Sequence, residues 1–209
     1  MSQIIVQDLA EANIQAQTLL RSGQAIAFAT DTVYGVGALA ANPKAILRLF
    51  AVKRRPFDRA IPLLIADLAD LEQVASSIPP RARILAQLWP GALTLVVPAA
   101  AHIAPELTGG RDTVAVRIPN QPWLRDLIRA VGPLATTSAN LHGQSDPQTA
   151  DQVAAQLGDV LPLIIDGGAT AGPVPSTIVD CTGEQLRILR QGAIPRAQLE
   201  QLVGEQFAE

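Results

Sequence analysis

Short aliphatic segments alternate with helical ones along this chain, and no linker-like stretch interrupts them. That order favours one layered α/β domain over an all-helical or all-strand fold. Leu9, Ala12, Ala16, Leu19 and Leu20 share one helical face, with Gly23 behind them as a stop. Gln24 to Ala29 then reads as a short buried strand. Asn42-Pro43 combines an N-cap with proline at the first helical position, opening a helix through Ile46, Leu49 and Phe50. This helix ends by Arg55, because Pro56 disfavours its continuation. Further strands are predicted at Ile61–Ile65, Leu93–Val97, Val114–Ile118, Leu134–Thr137, Leu163–Asp166, Thr177–Asp180 and Leu186–Leu189. Helices are predicted near Asp67–Val74, Arg81–Leu88, Pro122–Val131, Thr149–Leu157 and Arg196–Val203, the last three followed by Gly132, Gly158 and Gly204. Several strands follow each other directly, so residues 1–209 are expected to form a single domain around a twisted mixed sheet flanked by helices.

With four Phe, two Trp and one Tyr, the core must be aliphatic. The same scarcity removes the stacking platforms of a single-strand nucleic-acid module. A net charge of −3 and a pI of about 5.4 leave no global basic field, so any basic patch is local. One cysteine, Cys181, excludes an internal disulfide and suits a reducing compartment; in the strand-like run Thr177–Cys181 it reads as buried and inert. Met1–Val6 lacks the features of a signal peptide, and no apolar run approaches membrane-spanning length. A soluble, cytoplasmic protein without membrane contact is expected.

Several chemistries lack their signatures. There is no phosphate-loop motif and no dinucleotide fingerprint. His102 and His142 lack zinc-site spacing, and Ser138 lies outside any nucleophile-elbow pattern, so neither a metal ligand set nor a covalent nucleophile is expected. Six segments remain. Lys53-Arg54-Arg55 reads locally as a helix C-terminal cap, or else as a polyphosphate clamp. Ala29-Thr30-Asp31-Thr32-Val33-Tyr34-Gly35-Val36-Gly37 reads as a hydroxyl-rich turn exposing backbone and OH groups, including those of Thr32 and Tyr34, to a small polar ligand. Thr136-Thr137-Ser138-Ala139-Asn140 leaves a strand at the end where α/β sheets place ligands. Asp166-Gly167-Gly168 with Gly172–Thr177 forms a flexible loop, and Arg190 sits at a strand end. Alternation puts Arg117 opposite Val116, where solvent exposure would suffice to explain it.

In this order the segments resemble the YrdC/TsaC family of threonylcarbamoyl-adenylate synthases, from about Ala12 to Ile194. The family's P-T-[DE]-T-x-Y-G-[LV]-G is similar to Ala29–Gly37, with Ala29 for proline, and its K-x-R-P to Lys53–Pro56. Its W-P-G-P-x-T resembles Trp89–Thr94 with Ala92 for the second proline, while V-A-V-R-x-P stands intact at Val114–Pro119 and S-A-N at Ser138–Asn140. D-G-G, G-x-x-S-T and L-R-x-G follow. The chain departs where the family's Ser after S-A-N-x is His142 and its S-P-T is Asp146-Pro147-Gln148, which replaces or removes a polar ATP contact.

The resemblance implies a YrdC-like domain with a central basic cavity. The implied reaction joins L-threonine, bicarbonate and ATP into threonylcarbamoyl-AMP and pyrophosphate, for modification of adenosine 37 of tRNA. It implies Lys53, Arg55, Ser138, Asn140 and Arg190 as ATP-binding residues, and Thr30, Arg117, Thr136 and Ser176 as threonine-binding residues. Mg²⁺ is expected to bind mainly through ATP phosphates. Expected partners are the downstream tRNA-threonylcarbamoyl transferase proteins, with room for weak contact with tRNA. The alternatives are a YciO-like paralogue, which departs at the K-x-R, S-A-N and S-T positions kept here, and an RNA-binding translation factor of the same fold. Only one helix is expected after the L-R-x-G strand, with no further domain.

Overall fold

The structure is a computed structural model describing residues 2–54, 56 and 59–208. Among these residues the strands are β1 (Gln3–Val6), β2 (Ile26–Phe28), β3 (Gly35–Leu39), β4 (Leu63–Leu64), β5 (Leu93–Pro98), β6 (Thr113–Arg117), β7 (Leu134–Ser138), β8 (Leu163–Asp166), β9 (Thr177–Asp180) and β10 (Arg187–Arg190). The helices are α1 (Ala10–Arg21), α2 (Pro43–Lys53), α3 (Leu71–Val74), α4 (Pro80–Leu85), α5 (Pro105–Thr108), α6 (Pro122–Val131), α7 (Ala150–Leu157) and α8 (Arg196–Val203). All ten strands join one sheet in the order β1-β8-β2-β3-β7-β4-β6-β5-β9-β10. The pairs β1/β8, β2/β8, β4/β6 and β5/β9 are parallel and the others antiparallel, so the sheet is mixed as expected.

Local chemistry sets the element ends. Asn42 Oδ1 accepts the N–H groups of Lys44 and Ala45, and Pro43 starts α2 with its φ already helical. The helix stops after Lys53, where Arg54 takes a left-handed conformation (φ 51°). Thr149 Oγ1 accepts the Gln152 N–H and caps α7.

The observed elements differ from the expected ones in several places. The helix expected over Asp67–Val74 divides into a 3₁₀ turn at Leu68–Asp70 and the short α3. Asp70 Oδ2 accepts the Ala66 and Asp67 N–H groups there, fixing the tighter turn. Arg81–Leu88 likewise becomes α4 and a 3₁₀ turn at Ala86–Leu88. The strand expected at Ile61–Ile65 shrinks to β4, because Pro62 has no N–H to give and Ile61 donates to the Leu107 carbonyl. β1, β3 and α5 were not foreseen.

The two faces of the sheet carry separate apolar clusters. Ile164 joins the face covered by α2, α4, α7 and α8, while Leu163 and Ile165 join the face covered by α1 and α6. This alternation is the period-two pattern of a strand buried on both sides. Cys181 is buried in the first cluster, and desolvation pushes its thiol up to about 12, as an inert core cysteine requires. Among the described residues no helix is long and apolar enough to cross a membrane.

Candidate functional site

Strand alternation also decides what the site is made of. Val116, Leu93, Leu95, Ala135, Val179 and Val36 all pack on the α2/α4 side. Their neighbours Arg117, Thr94, Thr136, Ile178 and Gly35 therefore face the α1/α6 side. The cluster beneath α1 and α6 takes no residue from β5, β6, β9 or β10, so these helices leave that part of the face bare. Over it opens a cavity of about 230 Å³. Arg117 is thus opposite Val116 as expected, but at 6% exposure it lies within the cavity wall rather than in solvent.

The loop after β2 forms one wall. Thr30 Oγ1 donates to the Val33 carbonyl (2.7 Å) and accepts the Thr32 N–H (3.1 Å), a serine/threonine-type turn. Thr30 and Thr32 both line the cavity. Gly35 and Gly37 belong to β3 rather than to this turn, which corrects their placement in a turn, and of the two Gly35 lines the cavity. A Cβ on Gly37 would stand 2.8 Å from Phe28 Cζ and 2.9 Å from Thr136 Oγ1. These glycines let the Phe28 ring and the Thr136 side chain lie across β3.

Arg117 is fixed from three sides. Its Nε donates to the Gly91 carbonyl (2.9 Å), one Nη to Thr32 Oγ1 (3.0 Å) and the other to Asp31 Oδ1 (2.6 Å). Burial pulls its pKa down, and the neighbouring Asp31 charge opposes that shift. The remaining guanidinium N–H groups are available to a ligand. Arg190 donates to the Ser176 carbonyl from Nε (3.1 Å) and Nη2 (2.9 Å), and from Nη2 to Ser176 Oγ (3.1 Å). Ser176 Oγ is also 2.8 Å from Thr94 Oγ1. Burial lowers the Arg190 pKa; the Asp146 carboxylate counters this and the Arg117 charge adds to it.

Arg190 and Ser176 are brought together by backbone contact. A Cβ on Gly192 would fall inside the carbonyls of Pro175 and Ser176. Replacing Gly192 with Ala must push these segments apart, and such overpacking typically costs about 1–3 kcal/mol. The expected result is a lower urea midpoint with an unchanged m-value. An unshifted midpoint would show that the Pro175–Ser176 segment yields freely.

Thr30, Thr32, Arg117, Thr136, Ser138, Ser176 and Arg190 share this one cavity. Lys53 and Asn140 stand behind its wall. Lys53, 2% exposed, donates from Nζ to Asn140 Oδ1 (2.8 Å) and to the Ser138 carbonyl, and lies 3.4 Å from both Thr137 Oγ1 and Ser138 Oγ. Ser138 Oγ donates to Asn140 Oδ1 (2.7 Å), and Asn140 Nδ2 to the Gln144 carbonyl. The basic side chain at the end of α2 is therefore buried against the turn after β7, which removes the solvent-facing cap from its two local readings. Arg55 lies outside the described residues.

Tyr34 is fully buried and is absent from the cavity wall. Its hydroxyl donates to the Gly168 carbonyl (2.8 Å), accepts the Gly167 N–H (3.2 Å) and lies 3.1 Å from Asp166 Oδ1. Burial above all pushes it up to about 12. It holds the Asp166–Gly168 loop, with its hydroxyl turned to that loop. Sequence reasoning missed Thr94 and Asp31. A lone threonine between two buried leucines is a legible signal for the first; the second shows only when Arg117 is seen beside it.

The Sua5/YciO/YrdC family model, described as "Telomere recombination", matches residues 18–192. The chain is 40% identical over 193 residues to a threonylcarbamoyl-AMP synthase of Bacillus subtilis, covering 91% of this chain and 56% of that protein. It spans little more than half the length of that relative. Pyrococcus abyssi Sua5 complexed with L-threonine superposes with a TM-score of 0.93 at 38% identity, covering 99% of this chain and 62% of that one. Escherichia coli YciO superposes at 0.85 with 25% identity, covering 95% and 100%. With most of its length matched by the family model and its fold superposing on both structures, the chain belongs to the Sua5/YciO/YrdC family.

Proposed function

We propose that this chain is an L-threonylcarbamoyladenylate synthase, a nucleotidyltransferase that condenses L-threonine, bicarbonate and ATP. The observation that carries the reading is one cavity lined by two guanidiniums, Arg117 and Arg190, and by the hydroxyls of Thr30, Thr32, Thr136, Ser138 and Ser176. Such a site suits anions with a small polar body. The relatives suggest the chemistry: one is a threonylcarbamoyl-AMP synthase, and the other is complexed with L-threonine.

In this reading Arg117 takes the threonine carboxylate, with Thr30, Thr136 and Ser176 around the amino-acid side. Arg190 and Ser138 face the nucleotide phosphates, and Lys53 and Asn140 hold the turn that carries Ser138. Threonine's amine nitrogen bonds to the bicarbonate carbon, and a C–O bond breaks as water is lost, leaving a carbamate. A carbamate oxygen then bonds to the α-phosphorus of ATP as the bond from that phosphorus to the bridging oxygen breaks, releasing pyrophosphate. No enzyme nucleophile is needed; orientation and fixed positive charge supply the catalysis. Mg²⁺ bound to the phosphates would offset further charge on the leaving group. The product would feed threonylcarbamoylation of tRNA adenosine 37 by downstream transferase proteins in the cytoplasm.

The test is pyrophosphate release from ATP with threonine and bicarbonate supplied singly or together. Release is expected only with both. Threonine-independent release would sink the synthase reading and leave a nucleotide-hydrolysing or purely binding member of the family.

A further inference from the structure

Asp146 lines the cavity from the loop between β7 and α7, in company with Arg190, Ser138 and Ser176. Among the described residues its carboxylate makes no hydrogen bond or ion pair, though its charge acts on the Arg190 guanidinium. Arg117 is meanwhile matched by Asp31 at 2.6 Å. Each cavity guanidinium thus has a carboxylate near it. A polyphosphate drawn toward Arg190 meets the bare Asp146 carboxylate as a like charge, and such juxtapositions weaken binding where solvent is partly excluded.

The same carboxylate becomes an asset if a hard divalent cation arrives with the phosphates. Mg²⁺ is commonly held by one or two carboxylates together with substrate phosphates and water, rather than by an all-protein cage. The residue set fits that arrangement. Among the described residues no three His, Cys, Asp or Glu side chains gather as a metal cage, while one unpartnered carboxylate borders the space beside Arg190.

We propose that Asp146 supplies a protein oxygen to the divalent cation accompanying the nucleotide, and so makes nucleotide binding depend on that cation. The proposal rests on the nucleotide reading given above. Its chemistry is specific to a carboxylate: an amide or hydroxyl in the same place would neither repel metal-free phosphate nor hold the cation as strongly.

The test is calorimetric titration of the full chain with ATP, in Mg²⁺ and in chelator, for the native protein, Asp146→Asn and Asp146→Ser. The native protein should bind Mg²⁺-ATP well and metal-free ATP poorly. Both variants should bind metal-free ATP more tightly than the native protein does, shrinking the ratio of the two affinities by about tenfold or more. An equal ratio in all three proteins overturns the role of Asp146 while leaving the nucleotide site intact. Absence of ATP binding by the native protein in both conditions overturns the nucleotide reading itself, and the Asp146 proposal with it.

Discussion

Arg117→Met is expected to destabilise the protein by about 3–5 kcal/mol, the range found when one partner of a buried ion pair is removed. The side chains of Arg117 and Asp31 are 8% and 15% exposed and approach to 2.6 Å. Methionine fills similar volume, so the loss is chiefly that of the charge and its donors. Asp31 is left as a nearly buried carboxylate without its cation, and the Gly91 carbonyl and Thr32 hydroxyl each lose a donor. Urea unfolding of Arg117→Met, Asp31→Asn and the double variant separates these contributions. The double variant should be more stable than Arg117→Met, since neutralising Asp31 removes the uncompensated charge. A change within about 0.5 kcal/mol for Arg117→Met, the usual range for surface positions, would mean that the pair opens to water. Threonine binding should be lost in Arg117→Met even under conditions where it is fully folded.

The fold was legible wherever one signal decided it. α6 and α8 run over the residues expected from their apolar spacing and following glycines, and β8 and β9 match their aliphatic runs. β3 was hidden because Gly35 and Gly37 read as turn residues. Their reason is tertiary: the Phe28 ring and Thr136 occupy the space where a Cβ would stand. β1 is an edge strand with Ile4 and Val6 exposed, so its burial pattern gives no strong period. In the site, the motifs named Thr30, Thr32, Arg117, Thr136, Ser138, Ser176 and Arg190 of the lining, but direction within a motif was beyond them. Tyr34 shares its run with Thr30 and Thr32, yet its hydroxyl goes to the Gly168 carbonyl because Tyr34 is on the opposite side of the chain as it enters β3. Arg117 could be placed opposite Val116 from alternation; what covers that face depends on where α1 and α6 stop, a matter of packing between distant segments.

Replacement of Lys53 is the sharper test of the two, because the resemblance implies an ATP-binding residue and the structure buries its ammonium among protein oxygens. A phosphate clamp facing an open cavity would be free of protein partners, and Lys53→Met would then cost ligand affinity and almost no stability. The ammonium is instead buried and donates to Asn140 Oδ1 and the Ser138 carbonyl, with two hydroxyls at 3.4 Å. A second tie runs beside it, from the His142 N–H to the Lys53 carbonyl (3.2 Å). The end of α2 therefore holds the turn after β7 by both main chain and side chain. Methionine keeps the main-chain tie and the stem packing but leaves buried oxygens short of a charged donor, which costs about 3 kcal/mol. Because Ser138 lines the cavity and Asn140 accepts its hydroxyl proton, relaxation of this turn should also weaken ATP binding. The expected outcome of Lys53→Met is thus a lower urea midpoint together with weaker ATP binding at temperatures where the variant remains folded. Unchanged stability with lost affinity would return Lys53 to the phosphates. Lower stability with intact affinity would make it a tie alone, with Ser138 positioned by the remaining hydrogen bonds of the turn.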